Sequence, residues 1–213
     1  VTTVIVDYNS GNLRSAEKSF QRMAQEVGAG DICVSSDPET VAGANRIVLP
    51  GVGAFADCRA GLGGYHGLFE AIEDAVLDRG VPFLGICVGM QMMATWGREH
   101  GQDTRGFDWI SGEVVALAPT DRSLKVPHMG WNELVIDTAH PVMDGIDSGA
   151  HAYFVHSYHL AADHPELRLA HCEYGGDVTA VVGRDNMIGT QFHPEKSQST
   201  GLRLIGNFLQ WTP

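Results

Sequence analysis

The chain has 213 residues, 44% apolar and 19% charged, which is enough to bury a sizeable core and makes one domain over residues 1–213 the expectation. Its 14 Lys and Arg against 26 Asp and Glu leave a net charge of −12, which argues against a nucleic-acid partner, whose footprint is a basic face. No stretch approaches the eighteen apolar residues of a membrane-spanning helix, and the N-terminal residues lack the basic flank and cleavage site of a secretory signal, so no membrane association is expected.

In chain order, Val4-Ile5-Val6 reads as a buried strand, and Leu13, Ala16, Phe20 and Met23 then recur at helical spacing. Ile32-Cys33-Val34 is a second strand, followed by Asp37-Pro38-Glu39, an N-cap with proline at the first helical position. Ile47-Val48-Leu49 is a third strand closed by Pro50-Gly51. Residues 62–79 carry Leu68, Ile72, Ala75 and Val76 on one face, and Gly80 ends that helix. Residues 81–86 form a fourth strand, after which Met90, Met93 and Ala94 predict another helix. Strands alternating with helices imply a mostly parallel sheet flanked by helices. From about residue 107 the rhythm changes to strands separated by turns, at 112–117, 131–136, 153–160, 167–172, 178–182 and 187–192, with a last helix at 199–209. The expected fold is α/β with an antiparallel extension in the C-terminal half.

The four cysteines, Cys33, Cys58, Cys87 and Cys172, are widely and irregularly spaced, with no CxxC pair and no disulfide framework, which fits a reducing cytoplasm. One stands apart. Gly85-Ile86-Cys87-Val88-Gly89 lies directly between a strand and a helix, the setting of a nucleophile elbow, where a sharp turn exposes the side chain at the carboxyl end of the sheet. An unperturbed thiol, with a pKa near 8.5, is only about 3% ionised at neutral pH. A thiolate nucleophile therefore needs a base, and the base an orienting group. Gln191-Phe192-His193-Pro194-Glu195 supplies both: in extended chain, residues i and i+2 share a face, so Glu195 reaches the ring of His193 without a second segment. Acyl transfer also needs donors for the oxyanion. The turn Pro50-Gly51-Val52-Gly53 follows the third strand and can aim a backbone N–H from Val52 or Gly53 at Cys87, and the N–H of Val88 is the natural second donor.

These three segments, in this order, resemble the class I (triad) glutamine amidotransferases. Within that family, Asp7-Tyr8-Asn9-Ser10-Gly11-Asn12-Leu13, Pro127-His128-Met129-Gly130-Trp131-Asn132, Phe154-Val155-His156-Ser157-Tyr158 and Lys196 are similar to the HisH-type subunits of imidazole glycerol phosphate synthase. The resemblance spans residues 4–209, with Asn9-Ser10 departing from the expected Gly-rich form. It implies a flavodoxin-like fold and glutamine as substrate, with Cys87 attacking the carboxamide, His193 protonating the leaving ammonia and Glu195 orienting the imidazole. It also implies that Gly53, Gln91, Ser157 and Tyr158 hold the glutamine, and that Asn12, Trp131, Tyr153 and Lys196 face a (β/α)8 cyclase subunit. That partner would combine the ammonia with a ribulosyl formimino-aminoimidazole carboxamide ribonucleotide, giving imidazole glycerol phosphate and an aminoimidazole carboxamide ribonucleotide. No cofactor is implied. His151, His156, His159 and His164 make only a weak metal pattern, since structural zinc usually brings cysteines or a tight helical His pair. Three rivals stand beside this reading: a sister glutaminase serving another synthase, a stand-alone cysteine hydrolase with the same elbow, and a non-enzymatic binding subunit.

Overall fold

A computed structural model describes residues 1–213. Its central sheet has eight strands in the order β2-β1-β3-β4-β14-β13-β12-β9. The five parallel members are β1 (Thr2–Val6), β2 (Asp31–Ser35), β3 (Arg46–Gly51), β4 (Phe83–Cys87) and β14 (Met187–Thr190). Their order, with the first two strands exchanged, is that of flavodoxin-like sheets, whose ligands bind outside the carboxyl ends of the strands. The antiparallel extension consists of β13 (Asp177–Arg184), β12 (Arg168–Glu173) and the short β9 (Val135–Ile136).

Helices cover the sheet. α1 (Leu13–Val27) buries Ala16, Phe20, Met23 and Ala24 and packs on α6 (Gln198–Gln210), where Phe20 and Phe208 meet edge to face at 6.5 Å. Gly28 closes α1 in the left-handed conformation, and Asp37 caps α2 (Pro38–Ala42) through its side chain. Together the two faces hold one continuous hydrophobic core.

Several elements differ from the sequence expectation. The helix expected at 62–79 is divided: α3 (Phe55–Gly63) ends among glycines, and α4 (Leu68–Glu73) begins after Gly67 and runs into a π turn, Asp74–Asp78. The helix expected from Met90 is a single turn, α5 (Val88–Gln91), and Ala94 begins a strand, β5 (Ala94–Glu99). Strand pairing overrides the helical spacing of the methionines there: β5 pairs with β6 (Gln102–Arg105) on one side and β7 (Ile110–Ala116) on the other. Gly97 leaves space for the Phe55 ring, which an added Cβ would meet at 2.5 Å. The strand expected at 131–136 divides at the buried Leu134 into β8 (His128–Glu133) and β9. That expected at 153–160 divides at Ser157 into β10 (His151–His156) and β11 (Tyr158–Ala162). β8 and β10 form a two-stranded sheet of their own, and β11-β7-β5-β6 a four-stranded one. No helix is long and apolar enough to cross a membrane.

Candidate active site

The buried strand β4 ends on Cys87, whose backbone angles, φ 55° and ψ −111°, lie in a region non-glycine residues rarely occupy. The chain reverses there and enters α5. Two glycines make the reversal possible. A Cβ on Gly89 would sit 1.8 Å from the carbonyl oxygen of Leu49, and one on Gly85 would sit 2.6 Å from that of Gly89. The result is a sharply turned cysteine at the carboxyl edge of the sheet, flanked by the ends of β3 and β14.

Register sets its neighbours. β14 runs beside β4 with Thr190 opposite Ile86, so the chain leaving β14 carries His193 past the turn. The base is anchored through its backbone: its N–H donates to the Tyr153 carbonyl at 3.0 Å, and its carbonyl accepts from the Ser197 hydroxyl at 2.6 Å. Nδ1 of His193 lies 2.9 Å from Oε1 of Glu195, and both side chains are almost wholly buried. The carboxylate reaches the ring through a 3-10 turn, Pro194–Lys196, rather than along extended chain; only His193 itself is extended. Burial alone would depress the His193 pKa. The nearby Cys87 sulfur and the hydrogen-bonded Glu195 carboxylate outweigh it and push the value up to about 9. With Nδ1 engaged by Glu195, the buried Nε2 makes no hydrogen bond and is left free for the reaction.

On the other flank, Gly51 of β3 stands opposite Cys87, and the Tyr8 hydroxyl pins the loop by donating to the Pro50 carbonyl at 2.7 Å. The N–H of Val52 points to the Ser10 hydroxyl at 3.1 Å, so this oxyanion donor expected from the sequence is engaged elsewhere. Gly53 follows with φ 95°, and an added Cβ there would meet nothing within 4 Å. Val88 opens α5 directly after the nucleophile.

A cavity of about 340 Å³ lies over Cys87. Of the residues singled out from the sequence, Val52, Gly53, Val88, Gln91, Ser157, Tyr158, His193 and Lys196 line it with Cys87. Glu195 sits behind His193, and Asn12, Trp131 and Tyr153 lie outside the lining. Asn12 is exposed at the start of α1. Trp131 and Tyr153 are cross-strand partners with rings 5.8 Å apart, and Nζ of Lys196 lies 6.0 Å from the Tyr153 ring. The lining also includes Glu99, at the end of β5, which the sequence reading missed because it took that segment for helix. A larger cavity, about 780 Å³, is at the opposite end of the sheet beside Asn186 and Met187 and holds none of these residues.

Of the remaining cysteines, Cys33 and Cys172 are absent from the cavity lining, and Cys58 touches the loop after β3 through the Val52 carbonyl at 3.3 Å. Burial pushes the thiols of Cys58 and Cys172 up, the latter to about 12, and all four cysteines are free.

Comparison with known proteins is consistent across the chain. The family model for glutamine amidotransferase class-I matches residues 5–211. The imidazole glycerol phosphate synthase subunit HisH of Cereibacter sphaeroides is 67% identical over 99% of this chain and 99% of its own length. The same-named subunits of Ruegeria pomeroyi and Rhodospirillum rubrum are 62% and 56% identical, over 99% and 98% of both chains. Among solved structures, a glutamine amidotransferase matches with a TM-score of 0.72 at 18% identity, covering 97% of each chain. One from Thermotoga maritima matches with a TM-score of 0.60 at 15% identity, covering 92% of this chain and 76% of that one. At these identities the two structures speak for the fold.

Proposed function

The chain belongs to the class-I glutamine amidotransferases, with HisH subunits of imidazole glycerol phosphate synthase as full-length relatives, and we propose that its 213 residues act as one glutaminase domain built around Cys87, His193 and Glu195. The observation that carries this reading is the strained Cys87 turn beside a buried His193–Glu195 pair, opening on a cavity of about 340 Å³, a volume suited to a small amino acid.

The proposed reaction runs as follows. The Cys87 thiolate attacks the carboxamide carbon of glutamine. The carbonyl π electrons move onto oxygen, and the Val88 N–H donates a hydrogen bond to the resulting oxyanion. The tetrahedral intermediate collapses, the C–N bond breaks, and the proton on Nε2 of His193 goes to the departing nitrogen, releasing ammonia and leaving a thioester. Neutral His193 then takes a proton from water, the hydroxide oxygen attacks the thioester, and glutamate leaves as the C–S bond breaks. Glu195 keeps the ring in one tautomer and favours its charged form. Glu99 supplies negative charge to the cavity, the complement of the substrate's α-ammonium group.

The partner in this proposal is the (β/α)8 cyclase subunit. Met129 and Trp131, on one face of β8, are 66% and 47% exposed, and Trp131, Tyr153 and Lys196 form a continuous run from that face to the cavity lining. A barrel seated there would take ammonia before it is protonated by water. The four free cysteines fit a cytoplasmic setting.

The test is Cys87→Ala in the complex. Glutamine-driven formation of imidazole glycerol phosphate is expected to vanish while formation from added ammonium salts persists. Loss of both would remove the ammonia-donor role.

A further inference from the structure

Two buried imidazoles lie beside the cavity and take no part in the triad. His128 and His156 are 3% and 6% exposed, and Nδ1 of His128 lies 3.0 Å from Nε2 of His156. Their tautomers follow from the ends of the chain they form. Nδ1 of His156 is 2.9 Å from the carbonyl oxygen of Tyr158, which can only accept, so that nitrogen carries the proton. Nε2 of His156 is then an acceptor and Nδ1 of His128 donates to it. Nε2 of His128 in turn accepts from the Asn132 amide at 3.3 Å. Burial depresses both rings, to about 4 and about 3, so they stay neutral and the donor pattern is constant around neutral pH.

The Tyr158 carbonyl accepts a second bond, from Nε2 of Gln91 at 2.9 Å, and the same nitrogen donates to Oε1 of Gln191 at 3.0 Å. With its oxygen taken, Gln191 turns its amide nitrogen toward the Cys87 sulfur, 3.6 Å away. Gln191 is fully buried, so no water competes for that N–H.

We propose that Gln191 is a positioning residue for the nucleophile: its N–H holds the Cys87 sulfur and favours the thiolate, and its orientation is set through Gln91, the Tyr158 carbonyl and the His128–His156 pair from Asn132 on β8. The inference rests on Cys87 being the nucleophile of the proposed glutaminase. It also gives β8 a route to the sulfur, since Asn132 follows the exposed Trp131 on that strand.

The experiment is alkylation of the chain by iodoacetamide across pH, followed at Cys87 by peptide mass, with melting curves to establish that each variant is folded. Gln191→Met keeps the volume and removes the donor; it is expected to slow alkylation about tenfold at pH 7 and to move the midpoint up by about one unit. His128→Leu is expected to shift the midpoint less, in the same direction. His128→Asn restores it, because its amide nitrogen stands where Nδ1 stood. Asn132→Leu, at the half-exposed end of the chain, repeats the smaller shift without opening the core. Combining Gln191→Met with His128→Leu is expected to add nothing to Gln191→Met alone. An unmoved midpoint in Gln191→Met, no rescue by His128→Asn, or simple additivity in the double variant would overturn the proposal. A wild-type chain that is alkylated at Cys87 with these shifts, yet releases no glutamate even with its partner, would remove the glutaminase reading and leave the positioning role standing.

Discussion

The N–H of Val52 donates to the Ser10 hydroxyl at 3.1 Å, and the same hydroxyl lies 2.9 Å from the Val52 carbonyl oxygen. One side chain from the β1–α1 loop thus holds both polar groups of the residue that follows β3, beside the nucleophile. Cys58 completes the clamp, its sulfur 3.2 Å from the Ser10 oxygen and 3.3 Å from the Val52 carbonyl.

This clamp predicts that Ser10→Ala raises the glutaminase rate of the chain without its partner. A neutral hydrogen bond contributes about 1 kcal/mol, so its loss changes the population of a freed Val52 amide by roughly fivefold. Glutamate release measured without cyclase reads this directly. A rate equal to or below wild type would show that the Ser10 contact does not restrain the oxyanion loop.

The raised His193 pKa has a pH signature. A group raised from 6.5 to about 9 on folding stabilises the fold fully below about pH 6.5, and that contribution is lost as pH rises through about 9. Glu195→Gln removes one of the charges that raise it. The fall in melting temperature between pH 6 and pH 9.5 is therefore expected to be smaller in Glu195→Gln than in wild type. In the activated complex, turnover is expected to decline above about pH 9, where His193 no longer carries the proton the leaving ammonia needs. An identical pH dependence of stability in the two proteins would contradict the assignment.

Glu99→Gln keeps an oxygen that can accept from the Phe55 N–H, the bond that ties Glu99 to the start of α3. It removes the negative charge from the cavity lining. The expected result is a rise in KM for glutamine of about tenfold or more, as for a lost charge-assisted hydrogen bond, with unchanged synthesis from ammonium salts. A fall in kcat at constant KM would assign Glu99 a different role.

Trp131 is the large aromatic residue exposed on β8, and Tyr153 stands against it on β10. Trp131→Ala is expected to weaken the complex with the cyclase by about 2 kcal/mol, roughly thirtyfold in Kd, with little change in the melting temperature of the free chain. Titration calorimetry checks it. Unchanged affinity would move the docking face away from β8.

What was legible in the sequence was local. Gly85 to Gly89 encodes a turn that only glycines at those two places permit, and His193 to Glu195 puts base and carboxylate in one short segment, so both could be found without knowing the fold. The alternation of strands and helices over residues 1–87 likewise carries the parallel sheet. The remainder depends on contacts between distant segments. The Ser10 clamp joins residues 42 apart, and the bond from Gln191 to Cys87 spans 104. Glu99 was hidden because Met90, Met93 and Ala94 mimic a helical face, whereas strand pairing with β6 and β7 decides the structure of the following residues. The 3-10 turn at Pro194 likewise changed how Glu195 reaches His193, but not that it does.

The most direct test of the account is glutamate release from glutamine by the chain alone, with the cyclase subunit, and with the cyclase and its ribonucleotide substrate together. The account predicts a low rate alone, because the Val52 donor is engaged by Ser10, and a rise of orders of magnitude in the full mixture. A full rate from the chain alone, or no response to either addition, would contradict it.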